Sequence, residues 1–149
     1  MKHFVCAIVV IVLMVAIFPL PALASGDAET VYFEDGSYMT IEIFCLQSRA
    51  SEQVSGSKQY THYGDNGVAL WRAVLKGNFL CTGTNSTCTY SACDVTIYDS
   101  AWYTISKSPA MLGNQATCEL TMGRKVLGIT VSRVPVSMVL TCDANGNLR

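Results

Sequence analysis

Hydrophobic positions along this chain recur at every second residue rather than at every third or fourth. Segment 38–45 begins as an alternation of apolar and polar side chains, and segments 126–131 and 136–141 are short runs rich in β-branched residues. Alternation turns one face of a strand to a core and the other to solvent. β-Branched side chains fit a pleated surface better than a helix. These segments therefore predict strands.

Clusters of turn-forming residues separate the predicted strands. Glycine tolerates positive φ, and Asn, Asp and Ser support tight turns through their side chains. The clusters predict turns at residues 35–36, 63–67, 82–86, 112–114 and 145–147. The spacing between these turns allows seven or eight strands.

Segment 68–76 is long enough for a helix, but glycines stand immediately before and after it. We predict a strand that continues to Cys81 and returns through residues 93–98 as a hairpin-like unit. Segment 47–58 is rich in Ser, Glu and Gln and indicates a linker or an edge loop. Segment 29–46, in front of it, is expected either to pack as an added strand pair or to stay loosely attached.

The predicted architecture is all-β: an antiparallel two-sheet sandwich of immunoglobulin-like type, with Trp71 and Trp102 in its core. A small open β-barrel is the alternative, because strand order cannot be read from the pattern alone. The domain prediction is a signal peptide over residues 1–24, an N-terminal segment and linker over 25–57, and the sandwich over 58–149.

The first residues have the three-part order of a secretory signal. Lys2 and His3 precede 15 uninterrupted apolar residues, and the segment ends in an Ala-Leu-Ala cleavage pattern at Ala24. Fifteen residues fall short of the roughly 20 needed to cross a bilayer, and Pro19 and Pro21 oppose extension of the helix. The expectation is a secreted, extracellular protein whose mature chain has no membrane span.

Removal of the leader also removes Cys6 and leaves six cysteines: Cys45, Cys81, Cys88, Cys93, Cys118 and Cys142. An even number in an oxidising compartment predicts up to three disulfide bonds, and fifteen pairings are open. A zinc site is not favoured, because no C-x2-C pair occurs and the mature chain holds a single histidine, His62. No metal or other cofactor is predicted.

Catalytic patterns are few. A Ser-His-Asp arrangement would depend on His62 alone, and no G-x-S-x-G elbow occurs. Asp94, Asp99 and Glu119 are the acids available for glycoside hydrolysis, but solvated carboxylates on strand faces or in turns are the favoured interpretation. The predicted protein is therefore not an enzyme, and no catalytic residue is assigned.

Aromatic residues are the remaining functional signal. Tyr60, Tyr63, Tyr90 and Tyr103 are the candidates for a binding surface, if several of them point outward. Nine basic and eleven acidic residues follow the leader, so no nucleic-acid partner is expected.

A resemblance covers about 92 of the roughly 125 residues after the leader. It rests on Lys58-x-Tyr60-Thr61-x-Tyr63, Ala69-Leu70-Trp71, Gly77-Asn78-Phe79, Cys88, Ile97-Tyr98-Asp99-Ser100-Ala101-Trp102, Gly113-Asn114-Gln115-Ala116, Leu127-Gly128-Ile129 and Leu140-Thr141-Cys142-Asp143-Ala144-Asn145-Gly146-Asn147-Leu148. In these motifs the chain is similar to small exported proteins of unknown function from Gram-positive, mostly gut-dwelling, bacteria. The resemblance implies no activity. It implies that Cys88 and Cys142 are the likeliest pair, with the other four cysteines as additions.

The function expected from the sequence is a non-catalytic binding module at or near the cell surface. Its partner is a cell-wall or host-surface glycan or protein. The alternative is a secreted antagonistic protein of bacteriocin type, which the small size, the leader and the cysteines also allow.

Overall fold

The computed structural model describes residues 24–25, 28–47 and 52–149, so most of the predicted leader lies outside the described residues. Within these ranges the chain forms nine strands and no helix: β1 (Ala24–Ser25), β2 (Glu29–Tyr32), β3 (Tyr38–Gln47), β4 (Gln53–Tyr63), β5 (Ala69–Cys81), β6 (Ser86–Ile97), β7 (Trp102–Leu112), β8 (Gln115–Val126) and β9 (Ile129–Thr141). Accordingly, the described residues contain no helical segment of the length and apolarity needed to cross a membrane.

The strands form two antiparallel sheets. The first has the order β3-β4-β5-β6, and β1 and β2 pair one after the other with the edge of β3 opposite β4. The second has the order β7-β8-β9. The predicted antiparallel sandwich is confirmed, and the sheets are not closed into the alternative barrel. From β3 to β6 and from β7 to β9 each strand pairs with its neighbour in sequence, whereas immunoglobulin domains use Greek-key connections. The protein therefore shares with immunoglobulin domains the packing of two antiparallel sheets but not the connections between the strands.

The core lies between the inner faces of the two sheets. Along β5 every second residue is buried, and Trp71, Leu75 and Phe79 are fully inaccessible. Leu120 of β8 and Leu140 of β9 come from the facing sheet and are buried with them. The prediction that Trp71 and Trp102 are core residues is confirmed, because they are 0% and 6% exposed.

The polar segment 47–58 contains much of a central strand rather than a linker. β4 begins at Gln53 and pairs with β3 on one side and β5 on the other, so it crosses the predicted domain boundary at residue 58. A side chain at Gly56 would collide with Leu148 and with the backbone of Phe44. Gly56 in β4 thus leaves room for the side chain of Leu148, which is distant in the sequence. The local sequence pattern therefore does not reveal this core contact.

Residues 29–46, expected as an added strand pair or a loose segment, form the hairpin of β2 and β3. Segment 126–131, predicted as one strand, is instead the tip of the β8–β9 hairpin, because the turn falls at residues 127–128. Turns at 33–37, 64–68, 98–101 and 127–128 gather at one end of the sandwich, here called the aromatic end.

Candidate functional site

Tyr60, one of the four predicted surface tyrosines, lies in the core. Its side chain is only 6% exposed and packs in the core between the two sheets. Burial raises the pKa of the phenol above its ordinary value of 10.0. The structure therefore removes Tyr60 from the candidate surface.

Tyr63 belongs to a row of three tyrosines at the aromatic end, here called the tyrosine ladder: Tyr32, Tyr38 and Tyr63. Tyr38 is the register partner of both others, so neighbouring strands place the three rings in line. The rings of Tyr38 and Tyr63 stack with centroids 4.8 Å apart and planes 11° apart, and Tyr32 lies 5.8 Å from Tyr38. Tyr32 is 76% exposed. Tyr32 and Tyr38 were not among the predicted surface residues, because only the strand register brings them beside Tyr63.

Tyr90 and Tyr103 lie apart from the ladder. Tyr90 is half-exposed on β6, where its register partner is Asn78. Tyr103 is on β7 of the other sheet, and its hydroxyl lies 2.6 Å from the hydroxyl of Thr130. The structure thus brings together Tyr63 and two tyrosines that were not predicted, and leaves the other candidates as separate residues.

Polar side chains of the same sheet form fixed pairs. Gln59 donates a hydrogen bond to the Glu42 carboxylate at 3.0 Å, and Lys76 forms an ion pair with Asp94 at 2.7 Å. The guanidinium of Arg72 lies 5.7 Å from the centre of the Tyr98 ring. A row of aromatic rings next to fixed donors and acceptors suits a ligand that has both apolar and hydroxyl-bearing surfaces.

His62, the single histidine after the leader, is 3% exposed and enclosed by three aromatic rings. It stacks on Trp71 at 5.2 Å, and the rings of Phe33 and Trp102 each lie 5.4 Å away. Its Nδ1 has no hydrogen-bond partner among the described residues. Desolvation lowers the pKa of His62 below 6.5, although the charge of Asp35 opposes the shift. In this environment the imidazole is a neutral packing element.

Acid is therefore expected to destabilise the fold through His62. A histidine whose pKa is lowered by folding contributes stability that is present above the unfolded pKa of about 6.5 and is lost as pH falls toward the folded pKa. The free energy of unfolding should decline below pH 6.5, by at most about 1.4 kcal/mol per pH unit, the slope for one proton. Urea denaturation at pH 7 and pH 5 measures the change.

A His62→Phe variant is the control for this pH dependence, because it keeps the aromatic packing and cannot take up a proton. The variant should show a smaller decline over the same interval. The aspartates with shifted pKa values, Asp35, Asp94 and Asp143, all titrate below their usual 3.8 and do not interfere there. An equal decline in both proteins would contradict the assignment to His62.

The acids considered for hydrolysis have separate structural partners. Asp94 pairs with Lys76, which holds the pKa of its carboxyl below the usual range. Asp99 accepts a hydrogen bond from the amide of Ala101, and Glu119 accepts one from Ser137. Asp94 is on the first sheet and Glu119 on the outer face of the second, so the structure does not assemble them into a pair.

Residues 143–147 form a self-contained turn. The Asp143 carboxylate accepts hydrogen bonds from the amides of Asn145 and Asn147 and from the Asn147 side chain. These bonds lower the pKa of Asp143. In the part of the chain that the structure describes, no three His, Cys, Asp or Glu side chains form a group that could hold a metal ion.

Among the described residues, no two cysteine sulfur atoms are within disulfide-bonding distance. Two pairs nevertheless meet across the sandwich. The sulfurs of Cys81 and Cys142 are 3.4 Å apart, and Cys93 and Cys118 are both buried and close enough for the Cys118 thiol to raise the pKa of Cys93. Burial, with the neighbouring thiol, raises the pKa of Cys93 to about 12 and that of Cys142 to about 11.

The thiol of Cys88 donates a hydrogen bond to the carbonyl of Tyr90 at 3.2 Å. The sulfur that contacts Cys142 is therefore that of Cys81 and not the expected Cys88, and the pairing of Cys88 with Cys142 stays an untested prediction. Thiols with raised pKa values are mostly protonated at neutral pH, which makes them weak nucleophiles and weak metal ligands.

Comparison with known proteins adds no relative to this description: neither protein-family models, nor curated proteins, nor solved structures give a match.

Proposed function

We propose that this protein is an exported binding module that recognises an extended carbohydrate polymer through the tyrosine ladder. The single observation that carries the proposal is the ladder: Tyr32 is 76% exposed, yet its ring is ordered against Tyr38, which in turn stacks on Tyr63. Ordered and exposed aromatic rings are typical of recognition surfaces, since a rigid ring loses little conformational entropy on binding.

The chemistry around the ladder favours a glycan. Sugar rings present C–H faces that pack on aromatic rings and hydroxyl groups at their rims that need hydrogen-bond partners. The neighbouring sheet face offers the amide of Gln59 and the carboxylate of Glu42, already held at 3.0 Å from each other. Several strands contribute to this face, so it suits a long and flat ligand better than a small molecule in a cavity.

Retention on insoluble glycans tests the ladder. Purified protein is incubated with bacterial cell-wall sacculi, chitin and cellulose, and the bound fraction is measured after sedimentation. Tyr32→Ala is expected to reduce binding about five- to tenfold, the equivalent of roughly 1 kcal/mol for one aromatic contact. Tyr90→Ala is the matched control, because it removes another exposed tyrosine of the same sheet that lies outside the ladder.

Two results would contradict the glycan proposal. One is the absence of binding to every polymer. The other is equal retention of wild type and Tyr32→Ala, which would place the contact elsewhere.

Export and oxidation complete the proposal. The leader-like N-terminus and six cysteines support a mature protein in an oxidising compartment. There the two contacting thiol pairs become the disulfides Cys81–Cys142 and Cys93–Cys118, both of which join the first sheet to the second. Each bond forms as two thiols give up two protons and two electrons to a disulfide-donating oxidoreductase, whose disulfide is reduced to two thiols.

A further inference from the structure

The tip of the β8–β9 hairpin exposes four apolar side chains next to one another. This hydrophobic tip consists of Val126, Leu127, Ile129 and Val131, which are 47%, 97%, 70% and 56% exposed. Val131 also lies at an irregularity in the pairing of β8 with β9, where Lys125 pairs with Thr130 and Arg124 pairs with Ser132. The hairpin extends past the core, so these side chains have little contact with the rest of the sandwich.

Local stability does not explain why leucine is at the turn. Leu127 and Gly128 both have positive φ, 50° and 80°, which is the geometry of a two-residue type I′ turn. Asn-Gly is the favoured sequence for this turn, and leucine at positive φ is strained. Leu127 is the one non-glycine residue with positive φ among the described residues, and it is almost fully exposed. No packing inside the protein therefore compensates the strain.

Three cations surround the base of the hydrophobic tip. This basic collar consists of Arg124, Lys125 and Arg133, and residues 123–134 include no acid. In the described part of the chain the one ion pair joins Lys76 and Asp94, so the collar has no carboxylate partner. Its charge is therefore available to an anionic surface.

Tyr103 holds the base of the hairpin in place. Its ring covers Gly123 so closely that a side chain there would lie 2.7 Å from it. Its hydroxyl is 2.6 Å from that of Thr130 on β9, and the Lys125 ammonium lies 4.2 Å from its ring centre. The hairpin is therefore presented as an ordered element with its apolar tip foremost.

We propose that the hydrophobic tip and the basic collar bind an anionic lipid surface. Leu127 enters the interfacial region first, and the collar follows two to four residues behind it in the pairing. At about 3.3 Å per residue, that separation is about 7–13 Å, which overlaps the roughly 5–10 Å depth at which apolar side chains of peripheral proteins lie beneath anionic headgroups. The charge complementarity distinguishes a lipid surface from an apolar protein partner, which would not require three cations without a carboxylate partner around the contact.

Vesicle sedimentation tests the proposal. The purified protein is mixed with vesicles of phosphatidylcholine containing about one-third phosphatidylglycerol, or with vesicles of phosphatidylcholine alone. We expect binding to the anionic vesicles, little binding to the neutral ones, and weakening by salt. Leu127→Asn should reduce the partition coefficient by about tenfold or more, and Arg133→Gln by about fivefold.

Leu127→Asn is informative because it cannot act through misfolding. Asn-Gly is the preferred type I′ sequence, so the variant should unfold at the same or a higher temperature than wild type. Leu112→Asn is the matched control: Leu112 is 67% exposed and stands before the β7–β8 turn at the opposite end of the sandwich. Its vesicle binding should equal that of wild type.

Three outcomes would overturn the lipid proposal: no binding to anionic vesicles, equal binding to both kinds of vesicle, or undiminished binding of Leu127→Asn. The first would leave the tip as a contact for a protein. Tyr32→Ala should retain vesicle binding, so the lipid and glycan proposals fail independently.

Discussion

Loss of the Cys81–Cys142 bond is expected to lower the free energy of unfolding of the oxidised protein by about 4 kcal/mol. The two residues are 61 positions apart, and a cross-link across a loop of that length removes much conformational entropy from the unfolded chain. Since small domains are stable by only about 5–15 kcal/mol, this is a large part of the total. Urea denaturation of the oxidised protein and of the Cys81→Ala/Cys142→Ala double variant measures the difference.

The matched control for the bridge is Cys88→Ala, which removes a buried thiol that contacts a backbone carbonyl instead of another sulfur. It should cost about 1–2 kcal/mol, as for the loss of one small buried group. Peptide mapping without reduction should recover Cys81 linked to Cys142 and Cys93 linked to Cys118. A peptide that joins Cys88 to Cys142 would refute this pairing and restore the one that the resemblance implied.

Replacement of Trp71 by alanine is expected to cost about 3–5 kcal/mol, because it empties the centre of the core. The side chain is fully inaccessible, stacks on His62 and lies 6.3 Å from the ring of Trp102. His62 would also lose one wall of its aromatic enclosure. Urea denaturation followed by circular dichroism gives the free energy without relying on tryptophan fluorescence.

Trp71→Phe separates packing from hydrogen bonding. The indole Nε1 of Trp71 is buried and has no hydrogen-bond partner among the described residues, so phenylalanine sacrifices no such bond. The variant should therefore lose clearly less stability than Trp71→Ala. If both variants lose the same amount, the indole nitrogen has a role that the packing does not reveal.

The parts of the fold that could be predicted are those that depend on residues close together in the sequence. β3 and β5 alternate apolar and polar positions, and the turns between strands carry Gly and Asn, so both were predictable. β4 was not, because the group that fills the core beside Gly56 is Leu148, about ninety positions later. The turn at residues 127–128 was not predicted, because leucine rarely occupies a position with positive φ, as Leu127 does here.

The candidate site was less predictable than the fold, because it depends on register. Tyr63 was a candidate from its position beside a glycine-rich turn, yet its stacking partner Tyr38 lies on another strand. Tyr60 was expected at the surface and is buried, because it lies on the core-facing side of β4, opposite the buried Ala73 of β5. Neither outcome follows from composition or local spacing.

The meander order of both sheets affects how the chain can assemble. From β3 to β6 and again from β7 to β9, each strand pairs with the strand made just before it, so hairpins can close in the order of synthesis with short loops. The contact between Cys81 and Cys142 is different, because it requires the residue that follows β9. Formation of that bond would therefore mark the completion of folding. An oxidoreductase acting on this chain would stabilise a sandwich that has already folded and would not direct its folding.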